Sequence, residues 1–337
     1  MNSRERVIAT LKFKSPDRVP IDLWTHKATH IIYGEKLQAL LNHYETDIVR
    51  IFGPMDRAFY PEMTQVGEIK DVWGSTWQVL QEGMVGEVKK PALQDISKIN
   101  EYKVPIDLIK SEWEKHNDLI DKKIQENRKK GKFILGGDVE IFQRMQFVRG
   151  TENLFCDLAE GTKDVFIFRD KITEYFKEYL QYWLNKDVDG IMFFDDWGSQ
   201  RALLISPDMW RKFFKPVYKE MMDMIKKAGK YVFFHTDGYI LDLYPEFIEL
   251  GVDAINSQLW CMGIEKVAEK FAGKITFWGE IDRQNILAFG TPEDIDNAAK
   301  RMKDCLYVNG GGLIGQSVAG KDVPLENIEA LLNCWNK

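Results

Sequence analysis

The 337-residue sequence predicts one (β/α)8 TIM barrel, an α/β fold, with a β-meander inserted after its second strand. Three observations carry that expectation. Short β-rich runs recur eight times along the chain. Most are continuously apolar, as parallel strands buried on both faces must be. Between successive runs lies a segment that is helical by pattern or long enough for a crossover. A doubly wound open sheet is the runner-up.

In order, the strands are RVPIDLW (18–24), DIVRIF (47–52), KFILGG (132–137), GIMFFD (190–195), KYVFFH (230–235), DAINS (253–257), KITFWG (274–279) and GLIGQ (312–316). The gap after the second contains GEIKDVWGSTWQVLQEGMVGEVKKPAL, whose alternation and glycine turns describe a meander over about 53–95, placed to lid the barrel mouth. Between strands four and five, SPDMWRKFFKPVYKEMMDMIKKAG reads as a helix that starts on Ser-Pro-Asp and stops at Gly229. The glycine run NGGGLIG (309–315) invites comparison with a phosphate cradle, but it precedes strand eight, the wrong end for a ligand, and reads as a tight turn into that strand. No Pro/Gly/Ser linker or internal repeat divides the chain, so residues 1–337 are expected to form a single domain.

Composition narrows the function. A formal charge of −6 supplies no basic stripe for nucleic acid, and NRKKGK fits the solvated end of a helix. No apolar run approaches the ~20 residues of a membrane span, and the amino-terminal segment is charged throughout, so a cytoplasmic protein is expected. Cys156, Cys261, Cys305 and Cys334 are too scattered for a disulfide framework or a cysteine-only zinc site. Cys261 lacks a histidine base beside it in sequence and reads as a quiet thiol.

Active sites of such barrels lie at the C-terminal ends of the strands. Read there, the chain offers Trp24 and His26, Asp56, Asp138 and Glu140, Asp195 and Asp196, His235 and Asp237, Asn256 and Gln258, Glu280 and Asp282, then Gln316 and Ser317. A ring of carboxylates around one imidazole resembles a metal site. His235 and Asp237, at i and i+2, can share a face, although a backbone-bonded histidine beside an Asx-turn is as good a reading. Asp195 and Asp196 point to opposite faces of an extended segment, leaving capping, substrate contact and metal ligation all open. Glu280 follows a glycine that permits close approach, suiting a third ligand, an acid/base group or a salt bridge to Arg283. Trp24, Phe194, Trp197, Tyr239 and Trp260, with His26, are the candidate walls for a flat, apolar substrate.

RERVIATLKFKSPDRVPID, DDWGSQ followed by ISPDMWRKFFKPVYK, FHTDGYI with PEFIELGVDAIN, ITFWGEIDRQ and VPLENIEALL together resemble the uroporphyrinogen decarboxylase superfamily nearly end to end. That superfamily includes cobamide-dependent methyltransferases, and the resemblance implies a homodimer. True decarboxylases of porphyrinogens carry an arginine-rich RQAGRY segment after strand one; here the place reads LWTHKATHIIYG, without arginine. The zinc methyltransferases present His-x-Cys-Gly after strand five and a further Cys after strand eight. Here His235-Thr236-Asp237-Gly238 stands in the first place and GQSVAG, with Ser317, in the second.

Nitrogen and oxygen ligands leave zinc a stronger Lewis acid than thiolates do, which favours activating an ether over a thiol. The resemblance therefore implies a zinc-dependent O-demethylase, with His235, Asp237 and Glu280 as metal ligands and Asp195, Asp196 and Glu280 as catalytic carboxylates. Its substrate would be a small methoxylated aromatic compound, and the methyl acceptor the Co(I) corrinoid (cobalamin) of a separate carrier protein. A metal-free decarboxylase acting on another acid is the alternative.

Overall fold

The computed structural model describes residues 1–56, 59 and 61–336. Eight parallel strands form the expected barrel: Ile21–Thr25, Ile48–Ile51, Phe133–Val139, Gly190–Phe194, Tyr231–His235, Ala254–Asn256, Thr276–Trp278 and Leu313–Ala319, called here strands one to eight. Strands two to eight each pair with the next, and strand eight pairs with strand one. The seam between strands one and two is closed by one residue. The Asp47 amide donates to Ile21 O at 2.7 Å, while the Asp47 carboxylate accepts from the Ile21 amide at 2.7 Å. Arg6 and Arg18, at 2.6 and 2.7 Å, neutralise that buried carboxylate, so the charge is paired where water cannot reach it.

The period-two pattern of the strands sorts the core into two parts. Ile48, Phe133, Leu135, Met192, Phe233, Ala254, Trp278 and Ile314 fill the lumen, plugged from below by Val7 of the helix Ser3–Leu11. Residues on the other face, such as Val49, Ile51, Ile134, Ile191 and Phe234, pack under the surrounding helices. The same alternation decides which residues can line the mouth.

Two sequence expectations change. The single helix over 206–229 is two helices, Pro207–Phe213 and Lys215–Lys227. Pro216 has no amide hydrogen to give the preceding turn, and its ring excludes a continuous helix there. The start is as expected, with the Ser206 hydroxyl accepting from the Met209 amide at 3.2 Å. Strand eight runs on to Ala319, because its ladder with strand one continues through Thr25↔Ala319. Ser317 is therefore within the strand rather than beyond it.

The meander is the antiparallel sheet Gly67–Lys70, Thr76–Val79 and Glu87–Lys90. It sits at the rim: Trp77 packs on Phe147 at 4.7 Å, and Gly83 O accepts from the amide of Ala28, just after strand one. The glycine run before strand eight lies against the end of the first helix, where a Cβ at Gly311 would come within 2.6 Å of Thr10 O. It is a close-packed turn, as expected. Among the described residues no helix is long and apolar enough to cross a membrane.

Candidate active site

His235 ends strand five on the same face as Phe233 and so points into the mouth. Its Nδ1 lies 2.5 Å from Asn256 Oδ1. The Asn256 amide nitrogen donates to Trp278 O and, at 2.8 Å, to Gln316 Oε1. With both amide hydrogens so used, Asn256 presents its oxygen to the imidazole, and Nδ1 must carry the hydrogen it donates. In the neutral ring Nε2 is left with its lone pair. That lone pair faces Asp196 Oδ1 at 3.5 Å and Asp237 Oδ1 at 3.8 Å.

Three electron-rich atoms turned on one another repel unless a metal cation or a proton on Nε2 lies between them. The spacing is longer than a hydrogen bond but close to the about 3.3 Å that separates two ligands lying 2.0–2.1 Å from a tetrahedral ion. Asp196, His235 and Asp237 all place a donor atom within 4.8 Å of one another. One nitrogen and two carboxylate oxygens with an open fourth direction is a donor set suited to catalytic zinc. The remaining oxygens are held from behind. Asp196 Oδ2 accepts from Gln143 Nε2 at 2.6 Å, and Asp237 Oδ2 accepts from Arg283 Nη2 at 2.5 Å. Asp196 Oδ1 also accepts from the Asp237 amide at 2.8 Å, tying two of the three donors together. Such partners fix ligand orientation. Burial raises the Asp196 pKa, and it opposes ionisation of Asp237 as well, where the Arg283 guanidinium that donates to Oδ2 favours the charged form.

Of the sequence-predicted ligands, His235 and Asp237 meet, and Asp196 completes the group rather than Glu280. Glu280 stands on the far side of Arg283, with Oε1 3.6 Å from Arg283 Nε. Its Oε2 is buried without a hydrogen-bond partner, and burial pushes the carboxyl up to about 8. It lines a cavity of about 200 Å³ together with Gln258, Trp260, Cys261 and Arg283. There it is a protonated acid at neutral pH rather than a charged ligand. The other contenders are committed elsewhere: Asp138 faces Arg50, Glu140 pairs with Arg144, Asp282 caps the amides of Gln284 and Asn285, and Asp56 accepts from Tyr179 and Gly53.

Asp195 does not reach the mouth. Its carboxylate accepts from the amides of Ile141 and Gln143, at 2.9 and 2.8 Å, and from the Tyr218 hydroxyl at 2.5 Å, capping the helix Ile141–Arg149. Adjacent carboxylates do diverge as the extended backbone requires, and the capped helix is the one after strand three. Through Gln143, whose amide it accepts from and whose side chain donates to Asp196, Asp195 is linked to the cluster at one remove. Ser317, at the place where the resemblance implied a thiolate, faces outward from the barrel by the alternation that turns Ile314 and Gln316 inward; its hydroxyl donates to Gln316 O at 2.7 Å. It supplies no ligand.

The aromatic candidates divide similarly. Phe194 stacks on the His235 ring at 4.1 Å, Trp24 tilts against it at 5.2 Å, and Trp260 donates its indole N–H to Glu280 O at 2.9 Å beside the cavity. Trp197 is fully buried against Phe142 at 4.1 Å, between helices, and is not a substrate wall. Tyr239 is half-buried against the outer core, and His26 is exposed on the rim at the start of the helix Lys27–His43. Cys261 donates to Gln258 O at 3.1 Å, and burial raises its pKa, keeping the thiol protonated.

Reading strand ends alone missed Arg50. It lies two residues after the lumen residue Ile48, so it too points inward, and its guanidinium rests 4.7 Å from the Trp24 ring centroid. An arginine within the apolar strand IVRIF was the available signal.

Residues 79–337 match the uroporphyrinogen decarboxylase (URO-D) family. The methylcobamide:CoM methyltransferase MtbA of Methanosarcina acetivorans is 23% identical over 204 residues, covering 60% of this chain and 57% of the relative's length. Among solved structures, a methyltransferase from Methanosarcina mazei superposes with a TM-score of 0.72 at 17% identity, over 100% of this chain and 98% of the other.

Proposed function

The chain belongs to the uroporphyrinogen decarboxylase family, and from that premise we propose that it is a zinc-dependent methyltransferase that takes the methyl group of a methoxylated aromatic compound for the reduced corrinoid of a partner protein. The observation that carries this reading is the His235 Nε2 lone pair turned on two carboxylates. Asp196, His235 and Asp237 would hold the metal. When bound, zinc supplies Lewis acidity to the ether oxygen.

The chain's own residues do the rest. Asn256 fixes the imidazole tautomer, and Gln143 and Arg283 hold the outer carboxylate oxygens. Phe194 and Trp24 offer flat apolar faces beside the imidazole, which suits an aryl ring. Glu280 keeps a proton in the adjoining cavity, available to the leaving oxygen. The methyl carbon then has to face the open end of the mouth, the direction from which a partner can present its corrinoid.

The test is turnover: zinc-loaded protein, a reduced corrinoid carrier and a panel of methoxylated aromatics, followed by the corrinoid's absorbance change and by release of the phenol. Phenol formation that depends on zinc and on His235 supports the reading; release of carbon dioxide from an acid substrate without metal or corrinoid would replace it with decarboxylation. That second reading draws on the lumen guanidinium of Arg50 and the protonated Glu280, a pairing equally able to seat a carboxylate and return a proton.

A further inference from the structure

Arg50 is a charged group at the mouth that the metal cluster does not use. Its side chain is only 16% exposed, so its cation is partly stripped of water. Such burial is costly unless the guanidinium's five N–H donors are met. Among the described residues its one ion-pair partner is Asp138, at 3.6 Å, beyond hydrogen-bond distance, and it makes no hydrogen bond. Asp22 is near enough to feel its charge but spends Oδ2 on the indoles of Trp24 and Trp278, at 3.0 and 2.9 Å. What holds the guanidinium is aromatic: Trp24 at 4.7 Å, Phe52 at 4.8 Å and Phe194 at 5.9 Å. Contacts of this kind use none of a guanidinium's N–H donors, and open donors in a planar fork suit bidentate recognition of a planar anion.

Trp24 and Phe194 also touch the His235 ring, at 5.2 and 4.1 Å. Arg50 and the three-donor cluster therefore share two aromatic neighbours at the C-terminal end of the barrel. We propose that Arg50 anchors a carboxylate carried by the substrate, so that the preferred donor is a methoxylated aromatic acid rather than a neutral methyl ether. This extends the O-demethylase reading and rests on it for the identity of the reacting group. The acid at one end of the ring pairs with Arg50 and directs the ether at the other toward the cluster, which gives the ring one orientation instead of two.

The experiment is calorimetric titration of 4-methoxybenzoate and the uncharged 4-methoxybenzamide into the full-length protein, Arg50→Met and Arg50→Lys. Wild type is expected to bind the acid about tenfold or more tightly than the amide, as a charge-assisted pair should. Arg50→Met should bring the two ligands within about twofold, and Arg50→Lys, which keeps the charge but loses the fork, should fall between. The comparison among variants assigns the carboxylate to Arg50 rather than to the His235 cluster. Equal binding of acid and amide by wild type, no binding of either at millimolar concentration, or a preference that survives in Arg50→Met would overturn the proposal. If Arg50→Met does not fold, an unchanged preference in Arg50→Lys would overturn it and a reduced one support it. A carboxylate preference lost with Arg50, beside no methyl transfer at all, would sink the demethylase reading and leave the anchor standing.

Discussion

Replacing Asn256 with leucine should weaken zinc binding about 10- to 100-fold, or about 1.4–2.8 kcal/mol, the range for losing an outer partner of a metal-bound histidine. The side chain accepts from His235 Nδ1 and donates to Trp278 O and Gln316 Oε1. Leucine removes the acceptor that keeps the lone pair on Nε2, and strips two buried acceptors of their donor at roughly 1–3 kcal/mol of stability each. Asn256→Asp separates the two effects. A carboxylate still accepts from Nδ1 but cannot donate to Trp278 O or Gln316 Oε1, so it should lose comparable stability while keeping near-normal zinc affinity. The assay is competition with a chromophoric chelator, alongside denaturant unfolding of each variant. Equal loss of zinc affinity in the two variants would refute the argument, because the metal would then be responding to general loosening and not to the imidazole tautomer.

Two further outcomes follow from the lumen and the loop after strand five. Burial raises the Asp22 carboxyl to about 6, so its contribution to stability is complete below about pH 4 and lost as pH rises through about 6. Asp22→Asn can still accept both indole hydrogens and should be the more stable protein above pH 6, by up to about 3 kcal/mol, in urea unfolding between pH 4.5 and 7.5. Equal slopes for wild type and variant would show that Asp22 titrates normally. Gly238 has φ +83°, and a Cβ there would lie 2.2 Å from Gly198 O. Gly238→Ala should cost about 1–3 kcal/mol and, by displacing Asp237, lower zinc content with it; a normal melting temperature and full metal loading would contradict that.

The barrel was legible because its strands are short apolar runs that end in polar residues, a pattern that survives without knowledge of long-range pairing. The break at Phe214 was also written in the chain, as Pro216, but amphipathic spacing continues through it and hides the interruption. At the site, i and i+2 spacing correctly put His235 and Asp237 together. Alternation showed that Asp195 and Asp196 diverge without saying which one turns inward; that depends on the helix Ile141–Arg149, whose amides claim Asp195. Glu280 misled for a related reason. Strand seven ends at Trp278, so Glu280 lies on loop backbone where alternation no longer holds, and Arg283 stands between it and Asp237. Arg50 is not a strand-end residue; it lies within strand two, in a lumen position one layer below that also reaches the mouth.

The most direct measurement is zinc content by elemental analysis of the purified wild-type protein beside His235→Ala, Asp196→Asn and Glu280→Gln. The account predicts about one zinc per chain in wild type, retained in Glu280→Gln and lost in His235→Ala and Asp196→Asn. Wild-type protein that neither carries zinc nor takes it up when offered, or zinc that persists in Asp196→Asn and vanishes in Glu280→Gln, would contradict it.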